Sequence, residues 1–482
     1  MNPVTFLKPN VNFPMKIIVV FISIFMGLKG GDQKSIHQVE LELNKAMGIS
    51  PDVEAHLPNE ITNRNNTLNR EVFGYYPYWM GSAWLDLDLS LISTIAYFGA
   101  EANSTGGIDD WHSWPPNNLI TTAHNAGVDV VLTVTNFNSN SISTLLSNAT
   151  YRQNLITTIV NSVSSAGADG VNIDFEGLPS SQKDNMVQFI TDLKAAFESA
   201  IPGSQVTLAT PAVDWSSAWD YDQLAINSDG LMIMGYDYHW SSGPTTGPVA
   251  PLTGWGTYNV TWTVNDYITW SGGLNDKLIL GCPYYGYDWP SESGSAGANT
   301  TGSSTARTYS VAEPTAQAYG KLRDSDSQSP WYRYQNSGWQ QCWYDDSLSL
   351  SLKYDLINQH NLKGVGIWAL GYDGDRPELW NAIEEKFTSE SGISDLSQPS
   401  SFELGSPYPN PFNSIVSIPI SVISNGSFLK IIDINGREIH HKILKVGHYQ
   451  YQWDASSFPS GIYFVSFSDG SNSQIQKMTY IK

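Results

Sequence analysis

Cysteine is scarce in this chain. Only Cys282 and Cys342 occur among the 482 residues. An oxidising compartment would permit one disulfide between them, and two buried thiols are the alternative. Because no cluster of Cys and His has the spacing of zinc ligands, we predict no metal site, and nothing in the sequence implies a cofactor.

Basic residues are scarce as well. The chain has 25 Lys and Arg against 46 Asp and Glu, which gives a formal net charge of -21. Nucleic acids and anionic membranes bind basic surfaces, so this charge argues against both as partners. The acidity favours solubility, and we expect a monomer.

A hydrophobic run long enough to cross a membrane is missing. Ile17 to Leu28 is apolar, but a run of about a dozen residues suits the core of a signal peptide better than a transmembrane helix. We therefore predict a signal peptide in residues 1–30 and an exported chain without a transmembrane anchor. Residues 31–69 are polar and predict a short helix followed by a linker.

Aromatic residues, in contrast, are abundant. They make up 12% of the chain, with 17 Trp and 25 Tyr, and the hydrophobic content is 41%. This composition is typical of a folded globular protein. Flat rings also stack on the apolar faces of sugars, although most of these rings must belong to the core.

Eight apolar runs alternate with segments of helical periodicity between residues 70 and 388. This alternation predicts an α/β fold, a (β/α)8 barrel, with an open doubly wound sheet as the alternative. A segment between Trp289 and Gly364 is long enough for a small α+β insertion before the last strand. The predicted strands are EVFGYYPYW, LISTIAYFGAE, VDVVLTVTNF, DGVNIDFEG, QVTLATPAVD, DGLMIMGYDY, LILGCPYYGY and GVGIWALGYD.

The end of the chain reads as a separate domain. Residues 389–404 are rich in Ser and lie in a stretch typical of a linker. Short β-rich runs follow, so residues 405–482 are predicted to form a small β-sandwich. Within it, Asn435-Gly436 suits a type I′ hairpin turn.

The fourth predicted strand carries polar residues where a buried strand should be apolar. Side chains two apart share a face, so Asn172, Asp174 and Glu176 point one way, into the barrel, and Glu176 lies at its C-terminal mouth. Neighbouring buried carboxylates raise one another's pKa, which keeps one of them protonated as an acid catalyst. The solvent face of an antiparallel strand and a calcium site are the alternatives.

Four stretches in barrel order resemble glycoside hydrolase family 18, the chitinases and their relatives. DGVNIDFE resembles the strand-four signature DGxDxDxE, and MGYD, KLILGCPYYG and GVGIWALGYD are similar to the motifs of strands six, seven and eight. The resemblance covers residues 70–388. It implies a secreted hydrolase that cleaves β-1,4 linkages of N-acetylglucosamine in chitin or chito-oligosaccharides.

The resemblance also implies roles for individual residues. Glu176 would protonate the glycosidic oxygen, and Asp174 would orient the 2-acetamido group of the substrate, which attacks the anomeric carbon in a substrate-assisted retaining reaction. Tyr236 would bind the acetamido oxygen, supported by Asp237. The residues predicted to bind substrate are Asn172, Met234, Trp368 as the floor under the sugar, Tyr75 and Phe98.

Two stretches depart from the family pattern. Asn172 stands where the family usually has Asp, and TVTNFN on strand three lacks the usual SxGG. We expect Asn172 to donate a hydrogen bond to Asp174 and to keep it ionised. The sequence NIDFE is similar to a bacterial subgroup of spore and cell-wall hydrolases, so a peptidoglycan-cleaving N-acetylglucosaminidase is an alternative. A non-catalytic sugar-binding protein and a surface adhesin are others.

The C-terminal domain has a resemblance of its own. YPNPFNS, IIDINGREI and SGIYFVSF are similar to the type A sorting domain of proteins exported by type IX secretion. This implies the type IX machinery as a partner and an extracellular location, secreted or attached to the outer surface. A small carbohydrate-binding sandwich is the alternative.

Overall fold

The computed structural model describes residues 34–50, 67–389, 403–422, 427–444, 447–456, 458–468 and 473–482. The predicted signal peptide and most of the predicted linker lie outside these ranges. The chain divides into two compact units, Met1–Ser389 and Glu390–Lys482. Each unit has a hydrophobic core of its own.

The described part of the larger unit contains sixteen strands and ten α-helices. The strands are β1 (Thr67–Leu68), β2 (Glu71–Pro77), β3 (Thr94–Ala102), β4 (Ile108–Asp110), β5 (Asp129–Asn136), β6 (Gly170–Phe175), β7 (Gln205–Pro211), β8 (Gly230–Met234), β9 (Leu278–Pro283), β10 (Tyr285–Ser291), β11 (Thr305–Thr308), β12 (Leu322–Arg323), β13 (Pro330–Gln335), β14 (Trp339–Trp343), β15 (Gly364–Trp368) and β16 (Thr388–Ser389). The helices are α1 (Ile36–Ala46), α2 (Asn117–Asn125), α3 (Ser139–Ser147), α4 (Ala149–Ala166), α5 (Lys183–Ala200), α6 (Tyr221–Ile226), α7 (Val260–Trp270), α8 (Tyr309–Tyr319), α9 (Ser347–His360) and α10 (Glu378–Phe387).

Eight parallel strands form a closed barrel. The neighbours run β2, β3, β5, β6, β7, β8, β9 and β15, and the pairing of β15 with β2 closes the ring. These are the eight apolar runs of the sequence, so the prediction of a (β/α)8 barrel is confirmed and the open sheet is excluded. In such barrels the active site lies at the C-terminal ends of the strands.

Capping residues in the sequence set the ends of the helices around the barrel. The Asn148 side chain accepts hydrogen bonds from the backbone N–H groups of Thr150 and Tyr151 and so caps α4, which ends at Gly167 in the left-handed conformation, with φ 64°. Helix α5 buries a face of apolar residues at helical spacing. That face packs on the outer side of the barrel, where Phe189 stacks on Phe175 of β6.

The predicted insertion before the last barrel strand is present. Strands β10 to β14 form a five-stranded antiparallel sheet, accompanied by α8. The sheet begins at Tyr285, directly after β9, and therefore slightly earlier than the sequence indicated. Cys282 of β9 and Cys342 of β14 are both buried and unpaired, so they are thiols.

The smaller unit is a sandwich of two antiparallel sheets. Its strands are β17 (Glu403–Leu404), β18 (Ile415–Val422), β19 (Ser427–Asp433), β20 (Glu438–Leu444), β21 (Gly447–Asp454), β22 (Gly461–Ser468) and β23 (Ser473–Tyr480). One sheet has the order β17-β18-β21 and the other β20-β19-β22-β23. Alternate residues of β18, namely Val416, Ile418 and Ile420, point into the shared core.

The hairpin between β19 and β20 corrects one prediction. A type I′ turn needs positive φ at both central residues, but only Gly436 has one, at 78°. The Asp433 carboxylate accepts hydrogen bonds from the backbone N–H groups of Asn435 and Arg437. These bonds stabilise a turn that closes from Asp433 O to Gly436 N, followed by a left-handed glycine, in place of the type I′ turn.

Within the described residues, no helix is both long and apolar enough to cross a membrane.

Candidate active site

Strand β6 delivers two carboxylates to the mouth of the barrel. Asn172 and Asp174 point inward and are fully buried, and Glu176 follows the strand end, held by a hydrogen bond from its backbone N–H to the Asn136 carbonyl. The alternation of side chains in a strand accounts for this placement, because Ile173 and Phe175 face the helices instead.

Strands β8 and β15 complete the site. Beyond the end of β8, Tyr236 and Asp237 turn toward the barrel axis, and Asp237 has a left-handed backbone, with φ 60°. Met234 ends β8 two residues earlier and is almost fully buried. Trp368, the last residue of β15, is completely buried.

Two further predicted aromatics lie against Trp368. The ring centroid of Phe98 on β3 is 4.9 Å from that of Trp368, and the centroid of Tyr75 on β2 is 5.5 Å away. The sequence therefore identified side chains from five barrel strands that the fold brings to one end of the barrel. Their catalytic and binding roles stay predictions.

Sequence reasoning missed Tyr285 as a residue of the site. Its hydroxyl donates a hydrogen bond of 2.5 Å to Asp237 Oδ1, so this buried tyrosine also positions a site residue. Tyr372, beyond β15, was also missed, and Trp79 Nε1 donates to its hydroxyl at 3.2 Å. The motif GVGIWALGYD contained Tyr372, but alternation along a strand could not place it, because it lies in the loop after β15.

Helix α1 was expected to belong to a polar extension, yet its first turn lies in the mouth of the barrel. His37 is fully buried there, with Nδ1 2.9 Å from Asp174 Oδ2 and Nε2 2.8 Å from the Tyr236 hydroxyl. Its ring stacks on Trp368, with centroids 3.7 Å apart and an interplanar angle of 26°.

The residues next to His37 contact the other two carboxylates of the site. Ser35 Oγ donates a 2.6 Å hydrogen bond to Glu176 Oε1, and the Ile36 N–H donates one of 3.1 Å to Asp237 Oδ2. The same Ser35 hydroxyl caps α1 by accepting from the Gln38 N–H.

Burial shifts the protonation of the site toward neutral groups. It raises the pKa of Asp174 to about 8, and burial together with the charge of Asp174 raises that of Glu176 to about 8. Burial also raises the pKa of Asp237 to about 6, against the hydrogen bond from Tyr285. The desolvated His37 ring has its pKa lowered to about 4 and is therefore neutral.

The expectation for Asn172 is wrong. Its Nδ2 donates to the Tyr75 hydroxyl at 3.0 Å, and its Oδ1 accepts from Thr207 Oγ1 at 3.0 Å. Asn172 thus binds side chains of β2 and β7 deeper in the barrel. Asp174 Oδ1 is buried without a hydrogen-bond partner among the described residues. Without a donor to that oxygen, burial controls the pKa of Asp174, which is raised instead of held low.

Two groups of side chains in the described part of the chain have the composition of a cation site. The ligand atoms of His37, Asp174 and Glu176 lie within 4.8 Å of one another, and so do those of Glu101, Asp110 and His112. In both groups the atoms already bond within the protein, for example His37 to Asp174 and His112 Nε2 to Glu101 at 2.7 Å. These hydrogen bonds account for the short distances between the side chains in each group.

Comparison with known proteins assigns each unit to a family. Residues 71–373, more than half of the chain, match the glycosyl hydrolases family 18, and residues 406–482 match the secretion system C-terminal sorting domain.

Individual relatives of the barrel come from bacteria and animals. YdhD of Bacillus subtilis, a sporulation-specific glycosylase by name, is 29% identical over 61% of this chain and 71% of that protein. Its crystal structure has a TM-score of 0.51 at 26% identity and covers 57% of this chain and 89% of that one. Di-N-acetylchitobiase of Homo sapiens is 29% identical over 63% of this chain and 81% of the human protein. The cortical fragment-lytic enzyme of Bacillus subtilis is 24% identical over 57% and 63% of the two chains.

The matched barrel and its relatives establish a chitinase-like glycosidase, and the sorting domain indicates secretion with attachment to the outer surface. The chain belongs to glycosyl hydrolase family 18.

Proposed function

We propose that this enzyme hydrolyses β-1,4 linkages next to N-acetylglucosamine, in chitin or chito-oligosaccharides, by substrate-assisted retaining catalysis. One observation carries the proposal. Asp174, Tyr236 and Glu176 converge on a single space above the Trp368 ring, and the imidazole of His37 fills that space. In the proposed reaction the sugar ring takes the place of this imidazole on Trp368.

The reaction begins with proton transfer from Glu176 to the glycosidic oxygen, while the bond from that oxygen to the anomeric carbon breaks. The acetamido carbonyl oxygen attacks the anomeric carbon from the other face and forms an oxazolinium ion. Water then attacks the same carbon, gives its proton to the Glu176 carboxylate and reopens the acetamido group. Two inversions give net retention without a protein nucleophile.

The surroundings of each group suit its step. With α1 docked, burial and the charge of Asp174 raise the pKa of Glu176 to about 8, and the neighbouring Asp174 favours the protonated form that an acid catalyst requires. The Asp174 carboxyl, whose Oδ2 contacts His37 Nδ1 here, can accept from the acetamido N–H, while the Tyr236 hydroxyl donates to the acetamido oxygen. Tyr285 fixes Asp237 next to Tyr236.

Replacement of Glu176 by Gln tests the proposal directly. In the full chain carrying His37→Ala, which empties the space above Trp368, Glu176→Gln should lower release of a chromogenic group from N-acetylglucosamine oligomers by about 10²-fold or more. Glu198→Gln, an exposed change on α5, is the matched control and should leave the rate unchanged. The first product should have the β configuration by NMR.

The same assay separates the alternatives. Turnover of peptidoglycan but not of N-acetylglucosamine oligomers would replace chitin as the substrate class while retaining the role of Glu176. Equal rates for the Glu176→Gln variant and its control would contradict acid catalysis by Glu176. Binding of the oligomers without turnover of any glycan would favour a sugar-binding protein.

A further inference from the structure

The first turn of α1 forms hydrogen bonds with four polar side chains of the candidate site. His37 contacts Asp174 and Tyr236, Ser35 contacts Glu176, and the Ile36 N–H contacts Asp237. A helix that merely covered the barrel would not need hydrogen bonds to all four groups. Since no sugar can enter the space that the imidazole fills, this arrangement and substrate binding exclude one another.

The imidazole of His37 has the hydrogen-bonding character of an acetamido group. A neutral imidazole offers one N–H donor and one nitrogen acceptor, and an amide offers one N–H donor and one carbonyl acceptor. With its proton on Nδ1, the ring donates to Asp174 Oδ2 and accepts from the Tyr236 hydroxyl. Its flat face on Trp368 takes the place of the apolar face of a sugar.

Ser35 resembles the leaving side of a substrate in the same sense. Its hydroxyl oxygen lies 2.6 Å from Glu176 Oε1, the distance at which a general acid meets the oxygen that it protonates. The hydroxyl is also the N-cap of α1, so the start of the helix and the contact with the acid depend on one atom.

A second set of contacts holds the helix one turn further along. Glu40 Oε2 accepts hydrogen bonds from Trp368 Nε1 at 3.0 Å and from the Tyr372 hydroxyl at 2.7 Å. At the rim, Lys45 forms an ion pair of 2.8 Å with Glu101. The opposite side of α1 faces water, and among the described residues Glu42 there accepts hydrogen bonds from Lys34 and Gln38.

We propose that residues 35–46 are an autoinhibitory segment that closes the active site by imitating the bound N-acetyl sugar, so that the enzyme becomes active when this segment is displaced or cut away. The inference rests on the proposed function, because it takes the space above Trp368 to be the sugar subsite. Residues 51–66, which connect the segment to β1, lie outside the described residues.

A substitution in the segment gives the first test. In the full chain, His37→Ala removes the imitating ring and should raise the hydrolysis rate about 10- to 100-fold, as expected when a site closed in 90 to 99% of molecules opens. Glu42→Gln on the water-facing side is the matched control and should change nothing. A fall in rate with His37→Ala, or an equal rate in both variants, would overturn the inference, since a fall would make His37 part of the working site.

Cleavage of the segment gives the second test. A site for a sequence-specific protease, placed within residues 51–66 of the full chain, allows the segment to be cut off after folding. Cutting should raise the rate, and a synthetic peptide of residues 34–48 should restore inhibition in competition with substrate, whereas the same peptide with His37→Ala should not.

Hydrogen exchange of the α1 backbone amides separates failure of the inference from failure of the proposed function. Protected amides that exchange rapidly when N-acetylglucosamine oligomers are added would show that sugar and segment share the site, even if no glycan is hydrolysed. In that case the inference stands and the proposed reaction fails. Amides that exchange rapidly in the uncut chain without sugar, or whose protection the oligomers leave unchanged, would overturn the inference.

Discussion

At the scale of the residue, burial decides the protonation of this site. Asp174 and Glu176 are both carboxyls on one strand face, and both have a pKa raised to about 8 because little water reaches them. Like charges at close range add to the effect on Glu176. Strand β6 and the residue that follows its end thus supply both carboxyls of the proposed reaction.

The sequence predicted Asp174 and Glu176 together because alternation along a strand is a fixed geometric rule. It could not predict the partner of Asn172, since that depends on Tyr75 from β2 and Thr207 from β7. Nor could it predict that His37 binds in the barrel. Ser35 followed by Gln38 is a recognisable helix start, but the pattern of α1 does not specify what its buried face contacts.

Glu40 should make closure of the site depend on pH. Burial raises its pKa from 4.5 to about 7, more than the hydrogen bonds from Tyr372 and Trp368 lower it. Docking of α1 therefore takes up a proton on Glu40, is favoured below the ordinary pKa and is weakened as the pH rises through about 7. In the full chain, the ratio of the wild-type rate to that of Glu40→Gln should rise between about pH 5 and about pH 7.

The ratio isolates Glu40 because His37, Asp174, Glu176 and Asp237 titrate in both proteins. It can rise by at most about tenfold per pH unit, the limit for one proton. The corresponding ratio for Glu42→Gln should be flat. A flat ratio for Glu40→Gln as well would mean that Glu40 stays ionised when the helix is docked.

At the scale of the element, the eight barrel strands were predictable because each is a short apolar run between helical segments. The hairpin at Gly436 was not, because the side chain of Asp433 selects the turn and a dipeptide rule ignores it. Apolar runs thus predict where a strand lies, whereas the geometry of the turn beside it depends on hydrogen bonds of individual side chains.

Lys353 of helix α9 forms a buried ion pair, with a residue just before the helix, that the sequence did not reveal. Lys353 Nζ donates to Asp345 Oδ1, and both side chains are completely buried. Lys353→Met leaves the Asp345 charge without its partner, so the free energy of unfolding should fall by about 3 to 5 kcal/mol. Chemical denaturation followed by circular dichroism measures this loss.

The control for this change is Lys386→Met on α10, whose partner Asp355 is about half exposed. Its loss should lie within about 1 kcal/mol. The double change Lys353→Met with Asp345→Leu should recover much of the stability, because it removes the stranded charge. A single Lys353→Met variant as stable as the control would contradict a buried pair.

At the scale of the whole molecule, two cores predict two unfolding transitions. Leu429 is fully buried in the core of the smaller unit, so Leu429→Ala should destabilise that unit by about 2 to 5 kcal/mol. Calorimetry should show one transition lowered and the other unmoved, with the rate of hydrolysis unchanged. A shift of both transitions would mean that the units unfold together.

Because α1 is covalently attached to the barrel, closure of the site does not depend on the concentration of the protein. A ligand tethered to its own site is present at an effective concentration of roughly millimolar, whatever the concentration of the protein. Even a helix that binds weakly in isolation therefore keeps the site closed during export, at any level of expression. Once the segment is severed outside the cell, dilution lowers its concentration far below millimolar, so a helix that binds weakly does not return to the site.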